Sequence, residues 1–131
     1  MGFRIPIKQV VEGDAEGEVL FVSKHISFLG DLDVEQGVLI GYGPIKNKLL
    51  VFPGSSGSTV GPYIIYSLSK RSLAPAAMIV KSLDTLLITG CVLSNIPMAV
   101  VEDWVGLTKI LAGCSRCFGR LLSREGVFVI E

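Results

Sequence analysis

The sequence predicts an α/β domain that is rich in β-strands. Short apolar runs bounded by turn residues recur along the chain, as strands do, and two other segments carry apolar side chains at helical spacing. The chain has 131 residues, which is room for one hydrophobic core. We therefore expect a single domain spanning 1–131, with about seven or eight short strands and two helices.

The first half of the chain is predicted to be mainly strand. An acidic, glycine-containing segment at 12–17 is expected to be a turn, and 28–36 is expected to be a loop. Leu49-Leu50-Val51-Phe52 is apolar at every position, as in a strand buried on both faces. The predicted strands of this half cover 3–11, 18–23, 38–40 and 49–52.

The second half mixes strands and helices. A helix is predicted over 62–71 because Val60, Ile64, Ile65 and Leu68 share one face and two basic residues lie at its carboxyl end. Trp104 begins a second helical pattern over 104–111 and is expected to pack that helix on the core. The predicted strands of this half cover 76–80, 86–92, 98–101 and a hairpin from Phe118 to Ile130.

Composition and charge exclude several classes of protein. Half of the residues are apolar, 18% are charged, and twelve basic residues balance twelve acidic ones. Disordered chains need more charge, and nucleic-acid-binding proteins need a basic surplus. The charge-free run at 49–69 is long enough to span a bilayer, but its glycine-serine loop could not satisfy its backbone in lipid. With no apolar leader, we expect a cytoplasmic protein whose surplus apolar surface is covered by another subunit.

The three cysteines indicate no metal site. Cys114 and Cys117 form a CxxC pair, which is half of a zinc site, and the only histidine, His25, lies far from it in the sequence. We expect this pair to be loop cysteines in a reducing compartment and Cys91 to be a small core residue. His25 is expected to be a surface or structural histidine.

The segment with the most chemical information is the glycine-serine loop at 53–61. It joins a buried strand to a helix, so its amides and the helix start could bind an anion. It is not a Walker A loop, because no lysine lies between Lys48 and Lys70, and it is not a nucleophile elbow, because Ser58 stands where that motif needs glycine. The purely structural interpretation is a turn in which Ser58 or Thr59 caps the helix.

Three segments in this order and spacing resemble the small subunit of aconitase X type hydro-lyases: Gly57-Ser58-Thr59-Val60-Gly61-Pro62-Tyr63, Ala74-Pro75-Ala76-Ala77-Met78-Ile79-Val80, and Gly90-Cys91-Val92-Leu93-Ser94-Asn95-Ile96-Pro97-Met98. The resemblance implies a swivelling β/β/α domain like the mobile small domain of aconitases. It also implies a heterodimer with a large subunit whose own cysteines hold a [4Fe-4S] cluster. The implied reaction is dehydration of (R)-5-phosphomevalonate to trans-anhydromevalonate 5-phosphate in an archaeal mevalonate pathway.

The resemblance also implies the site residues. Ser58 matches the family's serine base, which leaves Ser55 and Ser56 as weaker candidates for that role. The loop reads Gly-Ser-Thr-Val-Gly rather than the Gly-Ser-Cys-Ser-Gly of hydroxyproline dehydratase relatives, which favours the phosphomevalonate branch. The residues expected to contact the substrate are Ser56, Gly57, Thr59, Gly61 and Asn95, although Asn95 could equally be a strand-end turn.

The expected chemistry agrees with a two-subunit enzyme. Dehydration next to a carboxylate needs a base for the α-proton and a Lewis acid for the leaving hydroxyl. A serine acts as a base only as an alkoxide stabilised by amides and cations, and no charged residue lies between Leu49 and Ser69. The partner is therefore expected to supply the cation. The alternatives are another aconitase X type dehydratase, such as a hydroxyproline dehydratase, or a non-catalytic anion-binding assembly module.

Overall fold

The structure, a computed structural model, describes residues 2–57 and 59–131. These residues form strands and helices in the order β1 Phe3–Val11, β2 Ala15–Phe21, β3 Leu32–Asp33, β4 Val38–Leu39, β5 Gly43–Pro44, β6 Leu49–Phe52, α1 Gly61–Lys70, β7 Ala77–Val80, α2 Thr85–Ser94, β8 Met98–Val101, α3 Trp104–Ala112, β9 Phe118–Leu122 and β10 Val127–Ile130. The strand-rich α/β class predicted from the sequence is confirmed.

Seven strands close into a barrel in the order β1, β10, β9, β2, β6, β7, β8, and β3, β4 and β5 form a small separate sheet. The stretch β2, β6, β7, β8 is parallel throughout, while the remaining neighbours are antiparallel. Because β6, β7 and β8 run the same way, α1 and α2 are crossover helices of two successive βαβ units. Both helices therefore begin at the same edge of the sheet, where β6 and β7 end.

Strand alternation divides the core into two clusters. Leu49 and Val51 of β6 face the barrel interior with Phe128 of β10, and α3 contributes Leu107 to the same cluster. The alternate residues of β6, Leu50 and Phe52, face outward and are covered by α1, α2 and the segment after β2. All four side chains of β6 are buried, as predicted, because each face of the strand meets a different apolar layer.

The prediction of a strand at 86–92 is wrong, because this segment belongs to α2. Its apolar run has no alternation that separates a strand from a buried helix, and tertiary packing decides for the helix. Gly90 faces α1 so closely that a Cβ atom there would lie 2.8 Å from Cδ1 of Ile65. Cys91 is fully buried, as expected, although on a helix rather than a strand.

Smaller differences lie near the first turn and the last helix. The acidic segment predicted as a turn becomes strand from Ala15 onward, where Glu16 is opposite Arg120 on β9. The loop predicted at 28–36 contains the short strand β3. Cys114 and Cys117, expected only to be loop cysteines, are joined in a disulfide.

Several other predictions are confirmed within a residue or two. They are β1, β4, β7 and β8, the helices α1 and α3, and the final hairpin of β9 and β10. Trp104 packs its ring 6.4 Å from that of Phe21, as its core-packing role requires. Within the described ranges, no helix has the length and apolar character needed to cross a membrane.

Candidate functional site

A groove of about 240 Å³ lies at the edge of the sheet where β6 and β7 end and α1 and α2 begin. Grooves at the carboxyl ends of parallel strands are the usual ligand sites of α/β sheets. Its lining combines apolar side chains with hydroxyls and one carboxylate: Phe28, Ser55, Ser56, Gly57, Gly61, Ile65, Asp84, Thr85, Leu86 and Leu87.

The glycine-serine loop is anchored on one side by the backbone that follows β2. The amide of Ile26 donates to the carbonyl of Gly54 at 3.0 Å, and the amide of Ser56 donates back to the carbonyl of Ile26 at 2.9 Å. Ile26 is fully buried. These two bonds extend the parallel pairing of β2 and β6 into the loop, so the loop leaves the sheet along a fixed path as far as Ser56.

On its other side the loop is tied to the segment that leads into α2. The carbonyl of Pro53 accepts hydrogen bonds from the amides of Lys81 and Ser82 at 3.2 and 3.0 Å. The hydroxyl of Ser55 donates to Oδ2 of Asp84, and Oδ1 of Asp84 accepts a hydrogen bond of 2.7 Å from the amide of Leu87. Asp84 thus caps α2 and holds the loop with the same carboxylate.

Three of the substrate-binding residues predicted from the sequence line the groove: Ser56, Gly57 and Gly61. Thr59 is exposed and is not among the described lining residues. The predicted base, Ser58, lies outside the described residues. Its neighbour Gly57 has φ of +88°, in the left-handed region that favours glycine.

Asn95 is separated from the loop residues. It ends α2 in a left-handed conformation, with φ of 54° and ψ of 40°, while the groove lies where α2 begins. A helix of this length is roughly 15 Å long, so the structure does not bring Asn95 together with Ser56 and Gly57. Asn95 thus lies in a turn, as the alternative interpretation had it, but the turn follows a helix rather than a strand.

Asp84 is a groove residue that was not predicted, because the strands expected at 76–80 and 86–92 leave it in the connection between them. The overlooked signal was an aspartate directly before an apolar run, which is typical of a helix start. Thr85 and Leu87 were missed for the same reason. Phe28 and Ile65 reach the groove from separate parts of the chain, and no local pattern marks them.

Asp84 is the only ionisable side chain among the described residues that line the groove. This part of the chain therefore offers an anionic ligand hydroxyls and amides but no side-chain cation. Cys91, on the buried side of α2, is not a nucleophile. Burial, and secondarily the charge of Asp84, raise the pKa of its thiol to about 12, so it stays protonated at neutral pH.

No three or more His, Cys, Asp or Glu residues in the described part of the chain are grouped as a metal site. His25 is exposed. Its ring packs beside Gly54, where a Cβ atom would lie 3.5 Å from its Cδ2. This agrees with the surface or structural role expected for it.

Large apolar side chains are exposed beside the groove. Tyr63 is 75% exposed, and Val60, Leu83 and Leu86 are between 36% and 43% exposed. Each is next to, or within two residues of, a residue that lines the groove. An apolar rim around a polar groove is typical of an interaction surface.

The fold, with its groove at the carboxyl ends of parallel strands, agrees with the family that the sequence matches. The family model described as the aconitase X swivel domain matches residues 4–115, and the chain belongs to this family. The resemblance inferred from the three sequence segments is thereby confirmed.

Particular relatives narrow the comparison. The chain is 43% identical to the phosphomevalonate dehydratase small subunit of Thermococcus kodakarensis over 112 residues, which are 81% of this chain and 82% of that protein. It is 38% identical to the protein of the same name from Thermococcus onnurineus over 130 residues, 95% of each. A crystal structure of Thermococcus kodakaraensis aconitase X in its holo-form matches with a TM-score of 0.85 and 36% identity over 98% of each chain.

Proposed function

We propose that this chain is the small subunit of a hydro-lyase that converts (R)-5-phosphomevalonate to trans-anhydromevalonate 5-phosphate in an archaeal mevalonate pathway, in the cytoplasm. Ser58 is the base, and a large partner subunit holds a [4Fe-4S] cluster. The carrying observation is that Ser56, Gly57 and Gly61, which flank Ser58 in the chain, line a groove where two helices begin. Relatives named phosphomevalonate dehydratase small subunit support the choice of substrate.

The groove suits the proton-transfer half of a dehydration. A serine base needs neighbouring donors that favour its charged form. The start of α1 follows the glycine-serine loop directly and carries no acidic residue in its first turn, so its positive end favours a negative charge in this region. Phe28, Ile65 and Leu87 give the groove apolar walls, which suit the carbon skeleton of the substrate.

The cysteines of this chain do not fit an iron–sulfur site. Cluster ligands are thiolates, and a [4Fe-4S] cluster usually takes four of them. This chain has three cysteines, and burial raises the pKa of one of them, Cys91, to about 12. This supports placing the cluster on the partner, together with the Lewis acid for the leaving hydroxyl. The lack of a basic side chain among the described lining residues likewise supports a partner that supplies the cations for phosphate and carboxylate.

The test uses the chain co-expressed and purified with its large subunit. Ser58→Ala should leave the complex assembled and lower kcat for phosphomevalonate by about 10²- to 10⁴-fold, the usual contribution of a general base. Ser69→Ala is the matched control, because Ser69 lies near the carboxyl end of α1, away from the groove. It should keep wild-type turnover.

Three results would contradict the proposal in separate parts. Full activity of Ser58→Ala removes the serine base. Turnover of hydroxyproline but not phosphomevalonate gives the substrate of the alternative branch. Stoichiometric iron on the isolated small subunit, measured by elemental analysis, would mean that this chain, and not the large subunit, holds the cluster.

A further inference from the structure

The carboxylate of Asp84 joins two elements that are separate in the sequence. One oxygen accepts from the amide of Leu87 and the other from the hydroxyl of Ser55, 29 residues earlier. Ser55 and Asp84 both line the groove, and both are only partly buried. The bond therefore fixes the glycine-serine loop on the first turn of α2, at the point where the groove opens.

We propose that Asp84 and Ser55 are positioning residues that set the place of the glycine-serine loop, and hence of its predicted base, relative to α2. The catalytic part of this proposal rests on the proposed function. The backbone bonds between the loop and Ile26 end at Ser56. Beyond that residue, Gly57 adopts a glycine-favouring conformation with open space around it. The Ser55–Asp84 bond is thus a side-chain tie two residues before Gly57.

Asp84 is assigned to positioning because its two oxygens accept hydrogen bonds from two separate elements, the glycine-serine loop and the first turn of α2. A carboxylate held in this way orders the loop. It also faces the start of α2, whose dipole favours a negative charge there.

The variants separate the tie from the helix cap. Asp84→Ser keeps a good capping residue for α2, but its side chain is too short to reach Ser55, and Ser55→Ala removes the tie from the loop side. Both should lower kcat by up to about a hundredfold, the cost of a misplaced catalytic group. Substrate KM should stay nearly constant, and the complex should remain folded.

Asp84→Asn is the conservative variant. Its carbonyl oxygen can accept from the amide of Leu87 and its amide group can donate to Ser55, so both contacts survive without the charge. A positioning role predicts that this variant keeps activity within a few-fold of wild type, whereas a general-base role predicts a loss like that of Ser58→Ala. The double variant Ser55→Ala/Asp84→Ser should lose no more than either single variant.

Asp103→Ser is the matched control. Asp103 caps α3 by accepting from the amide of Gly106 at 3.0 Å, in the same role as Asp84, but it is exposed and no described bond joins it to the glycine-serine loop. Its replacement should leave kcat unchanged.

The structural half of the proposal is measured without activity. Amide hydrogen exchange of the peptide covering 53–57 should become faster in Ser55→Ala and Asp84→Ser but not in Asp84→Asn. Unchanged exchange and unchanged kcat in Ser55→Ala would overturn the proposal. So would a loss that appears in KM rather than kcat, which would mean direct contact with the substrate. If Ser58→Ala stays active, the proposed base fails, and the exchange data still decide the tie.

Discussion

The two helix starts that form the groove are built in opposite ways. Between β7 and α2 the chain needs only four residues, and Asp84 caps the helix with a side-chain hydrogen bond. Between β6 and α1 it needs eight residues, and the cap position is Val60, whose side chain has no atom that can accept a hydrogen bond. The connection from strand to helix is thus short and capped by a side chain before α2, and it is longer and lacks a side-chain cap hydrogen bond before α1.

This difference indicates that the two walls of the groove are not equally rigid: the start of α2 is firmly held, and the glycine-serine loop is less so. The helix α2 is held at its start by the Asp84 cap and packs on α1 through Gly90. In the loop before α1, the first four residues are fixed by hydrogen bonds to neighbouring segments, and the next residue, Gly57, has a backbone in the left-handed region. Ligand-binding loops generally combine a rigid support with a less stable segment.

Removing the cap of α2 should have the largest effect on stability. Asp84→Ala loses the bond from Leu87 and leaves Ser55 without its acceptor, so we expect a loss of about 2 to 3 kcal/mol in the free energy of unfolding. Asp103→Ala removes an exposed cap of α3 and should cost about 1 kcal/mol. Urea unfolding of both variants makes the comparison, and equal losses would mean that the loop contact adds no stability.

Forcing the two helices apart should have the next largest effect. A Cβ at position 90 would lie 2.8 Å from Cδ1 of Ile65 and 3.3 Å from Cα of Pro62, so Gly90→Val should cost about 2 kcal/mol through overpacking. Thr89→Val places the same side chain on the exposed face of α2 and serves as the control. A wild-type unfolding midpoint for Gly90→Val would show that α1 and α2 are not closely fixed.

A smaller effect is expected inside the loop itself. Gly57→Ala and Gly61→Ala both add a methyl group where nothing lies within 4 Å, but only Gly57 has a positive φ. The first substitution should cost about 1 kcal/mol from backbone strain, and the second should be neutral or slightly stabilising. Thermal unfolding distinguishes them, and identical behaviour would remove the conformational requirement at Gly57.

The smallest effect on stability at neutral pH is expected from the ionisation of Cys91, on the buried side of α2. The pKa of Cys91 is about 12 in the folded protein against 9.0 for a model thiol. The unfolded chain therefore loses this proton first as the pH rises. The stability that the protonated Cys91 thiol contributes to the folded state is therefore fully present below pH 9, and it is lost as the pH rises from 9 to about 12. Iodoacetamide at pH 9 should label Cys91 only after denaturation, so rapid labelling of the folded protein would contradict the burial of this thiol.

Much of the fold could be predicted from local patterns. The alternation in β1, the continuous apolar run of β6 and the proline-led start of α1 are each encoded within about ten residues, because they depend on side-chain period and helix capping. The motif segments also identified the family and directed attention to Ser56, Gly57 and Gly61. Where an apolar run had no period, as in α2, local information could not separate helix from strand.

The sequence by itself determined the strand-rich class, the family and the loop that carries the predicted base, because each depends on residues that are neighbours in the chain. Only the tertiary structure decided that Asp84 belongs to the groove and Asn95 does not. Parallel strand order brings the starts of α1 and α2 to one edge and sends the end of α2 away from it. A hydrogen bond between residues 29 positions apart leaves no local pattern, because the fold alone brings Ser55 and Asp84 together.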